Sequence, residues 1–196
     1  MERWRAALKH LGIQGEAIRW RYAAFELDPD VPPEGVDRDA YMSGRYDPAT
    51  VRAMGERLQQ IARSEGLQMA DAATLSIRPN TFAAHRLMTA ALHDDPSTQQ
   101  RLGDALFTAY WSRGENVGDH AVLVAAAQEA GLDGDTAAEL LAGDQFAGEV
   151  RAEERQAALL GVHAVPTFVF ADRLSVSGAQ DPAMLAQAAR QALGGG

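Results

Sequence analysis

The spacing of hydrophobic and polar positions changes twice along the chain. Residues 2–11 predict a short helix, and residues 17–25 then alternate, with Ile18 and Trp20 separated by arginine, which is the period of a strand. From about residue 37 to residue 161, apolar positions recur at intervals of three and four, which predicts helices almost throughout. The chain therefore starts with a helix and a strand and continues with a long helical block.

Capping residues mark where the helices of this block begin. Asp47 followed by Pro48 is a typical start, because the aspartate accepts from free N–H groups and proline suits the first turn. The helix that follows carries a one-sided apolar stripe, formed by Val51, Met54, Leu58 and Ile61. Further helix starts are predicted near Asn80, Ser97, Asp119, Asp133 or Asp135, and Gln145.

The pattern returns to strands after residue 161. Thr167–Phe170 is β-branched and aromatic, Leu174–Ser177 alternates, and the short link around Asp172 predicts a hairpin. Asp181 and Pro182 then open a final helix. A helical block between a strand and a hairpin indicates an insertion within an α/β core and excludes a doubly wound fold.

The amino-acid composition limits the kinds of chemistry that this chain can perform. The 196 residues include no cysteine, which excludes disulfides, thiolate metal sites, iron–sulfur clusters and a cysteine nucleophile within this chain. A net charge of -9 without a basic stripe argues against nucleic-acid binding. With neither an apolar run long enough for a membrane nor a signal peptide, a cytoplasmic protein is expected. The richness in alanine and arginine is typical of a GC-rich bacterial genome.

The most specific local motif is Val165-Pro166-Thr167-Phe168, where a proline directly precedes a predicted strand. Such a proline either starts the strand in the trans form or enters it through a cis bond. Together with Ser177-Gly178-Ala179-Gln180 and the last helix, the motif resembles the C-terminal half of the thioredoxin superfamily.

Separated motifs in the rest of the chain resemble the DsbA-like family in the same order. The nearest subgroup is the FrnE type, which is related to 2-hydroxychromene-2-carboxylate isomerases and kappa-class glutathione transferases. The motifs are Phe25-Glu26-Leu27-Asp28-Pro29, Pro32-Pro33-Glu34-Gly35, the segment from Asn80 to Leu87, and Leu106-Phe107-Thr108-Ala109-Tyr110.

This resemblance implies a helix-rich α/β protein: a thioredoxin-like fold with a large all-helical insertion. Residues 1–36 and 144–196 would form the thioredoxin-like domain, and residues 37–143 the insertion. Val165 and Pro166 would occupy the family's cis-proline loop, where a peptide or thiol substrate binds. Ala164 replaces a common glycine there, and His163 would be a loop histidine or, less favoured, a general base.

Asn80 and His85 would lie near the active site by the same resemblance. The simpler interpretation is a hydrogen-bonded packing histidine with Asn80 as a helix cap. Glu26 and Asp28 lead into a proline-rich loop, which favours a solvated turn over a catalytic carboxylate pair. The five histidines show no zinc spacing, so no metal site is expected.

The main departure from the family is at the N-terminus. Residues 1–11 resemble the middle of the family's first helix, and the core strand and Cys-x-x-Cys pair that should precede it are missing, as is the serine of the isomerase branch. We expect the catalytic cysteines upstream of Met1, removed by a misassigned start or by truncation. Two alternatives remain open: a partner supplies the strand, or the sheet has re-paired around the gap.

The predicted function is that of a DsbA-family thiol–disulfide oxidoreductase homologue, redox-inactive as the chain stands because only a thiolate exchanges disulfides. Whether the chain is itself an enzyme stays open for that reason. The alternatives are a non-catalytic thioredoxin-fold module that binds peptide or glutathione, and a glutathione-dependent isomerase or transferase. No cofactor is expected apart from glutathione, and a homodimer is left open.

Overall fold

A computed structural model describes residues 2–11 and 18–194, which divide into two compact units. The smaller unit contains residues 2–11, 18–20 and 156–194, and the larger contains residues 21–155. The protein is a helix-rich α/β fold with small sheets, as the sequence predicts. The domain boundaries that we place after residues 36 and 143 remain predictions.

The helices and the hairpin follow one another in the order that the sequence indicates, but two short strands are added and residues 18–25 form no strand. The helices are α1 (Glu2–His10), α2 (Arg38–Ser43), α3 (Pro48–Ser64), α4 (Phe82–Asp94), α5 (Pro96–Phe107), α6 (His120–Glu129), α7 (Gly134–Ala142), α8 (Ala147–Leu159) and α9 (Pro182–Gly194). The strands are β1 (Val36–Asp37), β2 (Ile77–Arg78), β3 (Thr167–Phe170) and β4 (Leu174–Ser177). A π-helical turn, Thr108–Ser112, continues α5.

Aspartate caps begin several helices, as predicted. Asp47 accepts from the backbone N–H groups of Ala49 and Thr50 at 3.0 Å, and Pro48 occupies the first turn. Asp119 caps α6, and Asp133 rather than Asp135 caps α7. These starts follow from local chemistry alone, since each carboxylate satisfies N–H groups that have no partner within the helix.

The strand predicted over residues 17–25 is wrong for residues 18–25, and Ala17 lies outside the described residues. A strand needs a neighbouring ladder for its backbone groups, and none of the described strands pairs with this segment. The alternation reflects burial instead. Ile18 and Trp20 pack on the core of the smaller unit, while the arginine between them is exposed.

A small antiparallel ladder interrupts the predicted helical block. β1 pairs with β2, with Val36 opposite Arg78 and Asp37 opposite Ile77. Two residues per strand are too few for an alternation to show in the sequence, so this pairing was not predicted.

Helix α3 carries the predicted apolar stripe, but the stripe does not face the core. Only Ala62 of this helix is buried, whereas Met54, Leu58 and Ile61 are 45 %, 38 % and 40 % exposed. The face that packs inward is displaced by one residue along the helix. Gln59, which follows Leu58, lies on it, and its Nε2 donates to the carbonyl of Ala70 at 2.8 Å. One residue corresponds to about 100° around a helix, so stripe and packed face differ by roughly a quarter turn.

The smaller unit is built on the predicted hairpin, which the structure confirms. β3 pairs antiparallel with β4, with Phe168 opposite Val176 and Phe170 opposite Leu174. Trp4 of α1 contacts both phenylalanines, with ring centroids 6.0 and 5.7 Å apart. The core of this unit is thus α1 and α9 on one face of the hairpin.

The larger unit is held together by an apolar helical core and by one buried cation. Leucines such as Leu87, Leu102 and Leu123 are fully buried between α4, α5 and α6. The guanidinium of Arg86, also buried, donates to three backbone carbonyls: Gln145 at 2.8 Å, Gly143 at 2.7 Å and Leu140 at 2.5 Å. These carbonyls lie at and beyond the C-terminal end of α7, where the helix dipole favours a cation.

None of the helices among the described residues combines the length and the apolar character that crossing a membrane would need.

We predict that Arg86→Met destabilises the larger unit by about 3 kcal/mol, because it leaves buried carbonyls without donors. Urea unfolding followed by circular dichroism measures this. Arg63→Met is the matched control, since Arg63 is an exposed residue of α3 and should change stability by less than about 0.5 kcal/mol. Equal effects of the two substitutions would contradict the role given to Arg86.

Candidate functional site

The loop before β3 is exposed at all four residues that the sequence singles out. His163, Ala164, Val165 and Pro166 are each accessible, with the Val165 side chain 49 % exposed. The peptide bond between Val165 and Pro166 is cis. An exposed apolar side chain therefore stands directly beside the proline.

Two hydrogen bonds fix this loop to the hairpin. The Thr167 hydroxyl donates to the carbonyl of Ala164 at 2.7 Å. The N–H of Gly178 donates to the carbonyl of Pro166, also at 2.7 Å. Gly178 has a φ of +88°, a conformation that favours glycine, which gives this residue of the Ser-Gly-Ala-Gln motif a structural reason. The loop is thus an accessible but fixed surface.

β3 presents a second recognition feature, an edge without a strand partner. Since the carbonyl of Pro166 is bound from the β4 side by Gly178, and backbone groups alternate along a strand, Phe168 also faces β4. The backbone groups of Thr167 and Val169 then face the opposite edge. Within the part of the chain that the structure describes, β3 pairs only with β4.

The residues around this edge are largely apolar. A shallow cavity of about 90 Å³ lies between the end of α8 and the hairpin, and Leu160, Val162 and Val169 line it. Leu160 is 53 % exposed and Val169 is 44 % exposed. An extended segment placed along β3 would cover these side chains while pairing with the free backbone groups.

In the larger unit, Asn80 and His85 each hold the segment that leads from Phe25 into the proline-rich loop. Asn80 Oδ1 accepts from Phe82 N–H at 2.9 Å, but the N-cap residue of α4 is Thr81 and not Asn80. Asn80 Nδ2 donates to the carbonyl of Val31 at 2.7 Å. His85 Nε2 donates to the carbonyl of Phe25 at 3.2 Å. Both side chains therefore bind backbone on a loop more than forty residues earlier.

The segment before that loop is held by side chains where a strand would be held by a ladder. Tyr22 exchanges two hydrogen bonds with the amide of Gln99, whose Oε1 accepts at 2.9 Å and whose Nε2 donates at 3.1 Å. The N–H of Ala24 donates to Glu153 Oε2 at 2.7 Å. The alternate backbone groups thus find partners on α5 and α8.

Glu26 does not form the solvated turn that the sequence favours. Its side chain is almost fully buried, and its Oε2 accepts from Arg151 Nη1 at 2.5 Å. The same nitrogen donates to Glu154 Oε2 at 2.8 Å. One oxygen of each carboxyl group is buried without a hydrogen-bond partner in the described structure. Asp28, in contrast, pairs with Arg78 and accepts from the Tyr41 hydroxyl at 2.9 Å.

Sequence reasoning missed this cluster although a signal for Glu26 was present. Tyr22 and Ala24 occupy inward positions of the alternating segment, and the next inward position is residue 26. Arg151, Glu153 and Glu154 gave no such signal, because charged residues on a helix are ordinarily solvated.

Burial shifts the pKa values of two groups in opposite senses. It raises the pKa of Glu26 above its ordinary 4.5, an effect that Arg151 opposes and Glu154 reinforces. It lowers the pKa of His85 below 6.5, although Glu154, Phe25 and Glu153 oppose the shift. Folding therefore makes Glu26 easier to protonate and His85 harder to protonate.

Among the described residues, no group of three or more histidine, aspartate or glutamate side chains could hold a metal ion. The polar side chains described in the larger unit bind backbone groups and one another.

Comparisons with known proteins agree on one family. The family model described as DSBA-like thioredoxin domain matches residues 3–190. The crystal structure of a probable DsbA oxidoreductase from Streptomyces coelicolor is similar to this chain, with a TM-score of 0.83 and 29 % sequence identity, covering 98 % of this chain and 84 % of that one. Among proteins with curated descriptions, none matches.

The buried imidazole of His85 predicts a pH dependence of stability. Below about pH 6.5 the unfolded chain binds a proton at this residue that the folded chain resists, so stability falls as the pH decreases. We expect His85→Gln to flatten the profile between about pH 6.5 and 5, by up to about 1.4 kcal/mol per pH unit. Urea unfolding at a series of pH values measures it.

The exposed His120 of α6 provides the control for this experiment. His120→Gln should change the free energy of unfolding by less than about 0.5 kcal/mol at each pH, because substitutions at exposed positions have small effects. Glu26 acts in the opposite sense, since its neutral form stabilises the fold at low pH and is lost as the pH rises through its raised pKa. A His85→Gln profile parallel to that of the parent protein would refute the assignment.

Proposed function

The chain belongs to the DSBA-like thioredoxin family, and we propose from this premise that it is the scaffold of a FrnE-type thiol–disulfide oxidoreductase. The similarity to a probable DsbA oxidoreductase over 98 % of the chain supports a redox function for the family. In this proposal the chain contributes the substrate-binding loop and the thioredoxin-like framework, and the thiols come from a segment outside it.

The observation that carries this proposal is the combination of the exposed loop at Ala164–Pro166 with the unpaired edge of β3. A thioredoxin-like sheet needs a further strand at this edge, and Thr167 and Val169 present the backbone groups that such a strand would use. Two apolar side chains beside the edge, Leu160 and Val169, support the same interpretation.

Disulfide exchange needs chemistry that this chain does not contain. A thiolate attacks one sulfur of a disulfide and forms a mixed disulfide, and a second thiolate then displaces the released partner, so that one dithiol is oxidised as one disulfide is reduced. The chain has no cysteine. We propose that a strand carrying Cys-x-x-Cys pairs with β3 and supplies both thiols.

The reading frame upstream of the Met1 codon tests this proposal. We expect it to encode a strand followed by Cys-x-x-Cys, and we expect the extended protein to reduce insulin with a thiol donor. The chain of 196 residues alone should show no turnover above the donor itself, because it holds no thiol.

The matched control is the extended protein with both cysteines replaced by serine, which keeps the strand and removes the thiols. It should fold like the active form and bind the same substrate, but it should not reduce insulin. A reading frame that ends without a cysteine pair, or an extended protein as inactive as its serine control, would contradict the proposed redox function.

The unpaired edge of β3 also favours a second candidate, a module that binds extended peptides without catalysis. Val169 and Ser175 face one another across the hairpin, and their backbone groups point to opposite outer edges. Proline removes the N–H of the residue that it replaces.

We therefore expect Val169→Pro to weaken binding of a fluorescein-labelled Val/Thr heptapeptide at least tenfold, and Ser175→Pro to change it less than twofold. Fluorescence anisotropy measures both, and circular dichroism confirms that the variants fold. Equal losses in the two variants would argue against binding at the β3 edge.

A further inference from the structure

Helix α3 displays an apolar surface that the fold of one chain does not use. Met54, Leu58 and Ile61 are exposed although they form the most regular apolar stripe in the helical block. The inward face of the helix is occupied by Gly55, Gln59 and Ala62, and Val51, the first residue of the predicted stripe, is half-buried beside them. An amphipathic helix ordinarily turns its apolar stripe inward, so here the hydrophobic pattern is directed to something other than this chain's own core.

The apolar surface extends beyond the helix at both ends. Tyr46, two residues before α3, is 44 % exposed, and Leu67, three residues after it, is 47 % exposed. With the three stripe residues, these side chains expose on the order of 400 Å² of apolar surface, the size at which patches on single chains are often functional.

This area agrees with what a stable dimer needs from each subunit. A standard interface buries about 800 Å² per partner, of which about 57 % is apolar, or roughly 450 Å². The stripe and its two flanking side chains supply nearly all of that amount from each copy. When two copies associate, each buries this apolar surface. The resulting hydrophobic free energy is comparable to that of ordinary protein interfaces.

The spacing within the stripe also suits pairing with itself. Met54, Leu58 and Ile61 are separated by four and three residues, the spacing of a coiled-coil seam. In an antiparallel pair of α3 helices related by a twofold axis, Met54 of one copy would lie level with Leu58 of the other, and Val51 with Ile61. These four residues carry no charge, and Arg57 borders them on one side and Gly55 on the other.

We propose that the protein forms a homodimer through α3, with the two copies of the helix antiparallel and the Met54–Leu58–Ile61 stripe at the centre of the interface. Twofold symmetric dimers are the commonest closed assemblies, and a self-complementary helix is sufficient to form one. The proposal is independent of the redox function and of the β3 edge.

Sedimentation velocity of the full chain tests the assembly. We expect a reversible species of twice the 21.0 kDa chain mass to form at micromolar concentrations. Leu58→Glu should raise the dissociation constant at least tenfold, because it places a charge in the apolar seam of both copies. Leu193→Glu is the matched control, since Leu193 is an exposed leucine on α9, and it should leave dissociation unchanged.

Engineered thiols test the geometry, and the absence of native cysteine makes every cross-link interpretable. A mixture of Met54→Cys and Leu58→Cys chains should form a disulfide between copies under mild oxidation much faster than Leu193→Cys chains do. A chain that stays monomeric up to about 100 μM, a dimer that Leu58→Glu leaves intact, or one that Leu193→Glu disrupts equally would each overturn the proposal. Helical circular dichroism of both glutamate variants excludes misfolding as the cause.

Discussion

The larger unit depends on backbone carbonyls bound by side chains of α4 and by Asn80, two residues before this helix. Asn80 holds Val31, His85 holds Phe25, and Arg86 holds three carbonyls at the end of α7 and just beyond it. Irregular backbone is stable in a protein interior only when its polar groups have partners. One helix therefore fixes both the proline-rich loop on one side and the link between α7 and α8 on the other.

The buried charges near this helix are costly, and they occur where regular pairing is absent. In the segment from Arg21 to Glu26, described strands supply no ladder, and the side chains of Gln99 and Glu153 bind its backbone instead. A sheet would satisfy the same backbone groups with neutral partners. Holding the segment with side chains instead requires two buried ionisable groups. Burial disfavours the charged form of both, the carboxylate of Glu26 and the imidazolium of His85.

The sequence could predict features that depend on residues close to one another in the chain, but not contacts between distant residues. The aspartate caps, the β3–β4 hairpin and the family could be predicted, because each depends on residues close in sequence or on motifs preserved in order. The partners of Asn80 and His85 could not, since their carbonyls lie 49 and 60 residues away. The alternation at residues 18–25 correctly indicated which side chains are buried, but the segment does not pair as a strand. The stripe of α3 correctly indicated an apolar helix face, but not whether that face is buried.

The turn of the hairpin has a consequence for how this fold tolerates change. Ala171 and Asp172 both have positive φ, at 49° and 54°, and the length of this turn helps to set which residues of β3 and β4 are opposite each other. Side chains alternate between the two faces of a strand, so a one-residue insertion that shifted β4 by one position would move Val176 away from the Trp4 side and bring serines there. Length variation among relatives should therefore be rare at this turn and commoner at loops that fix no register.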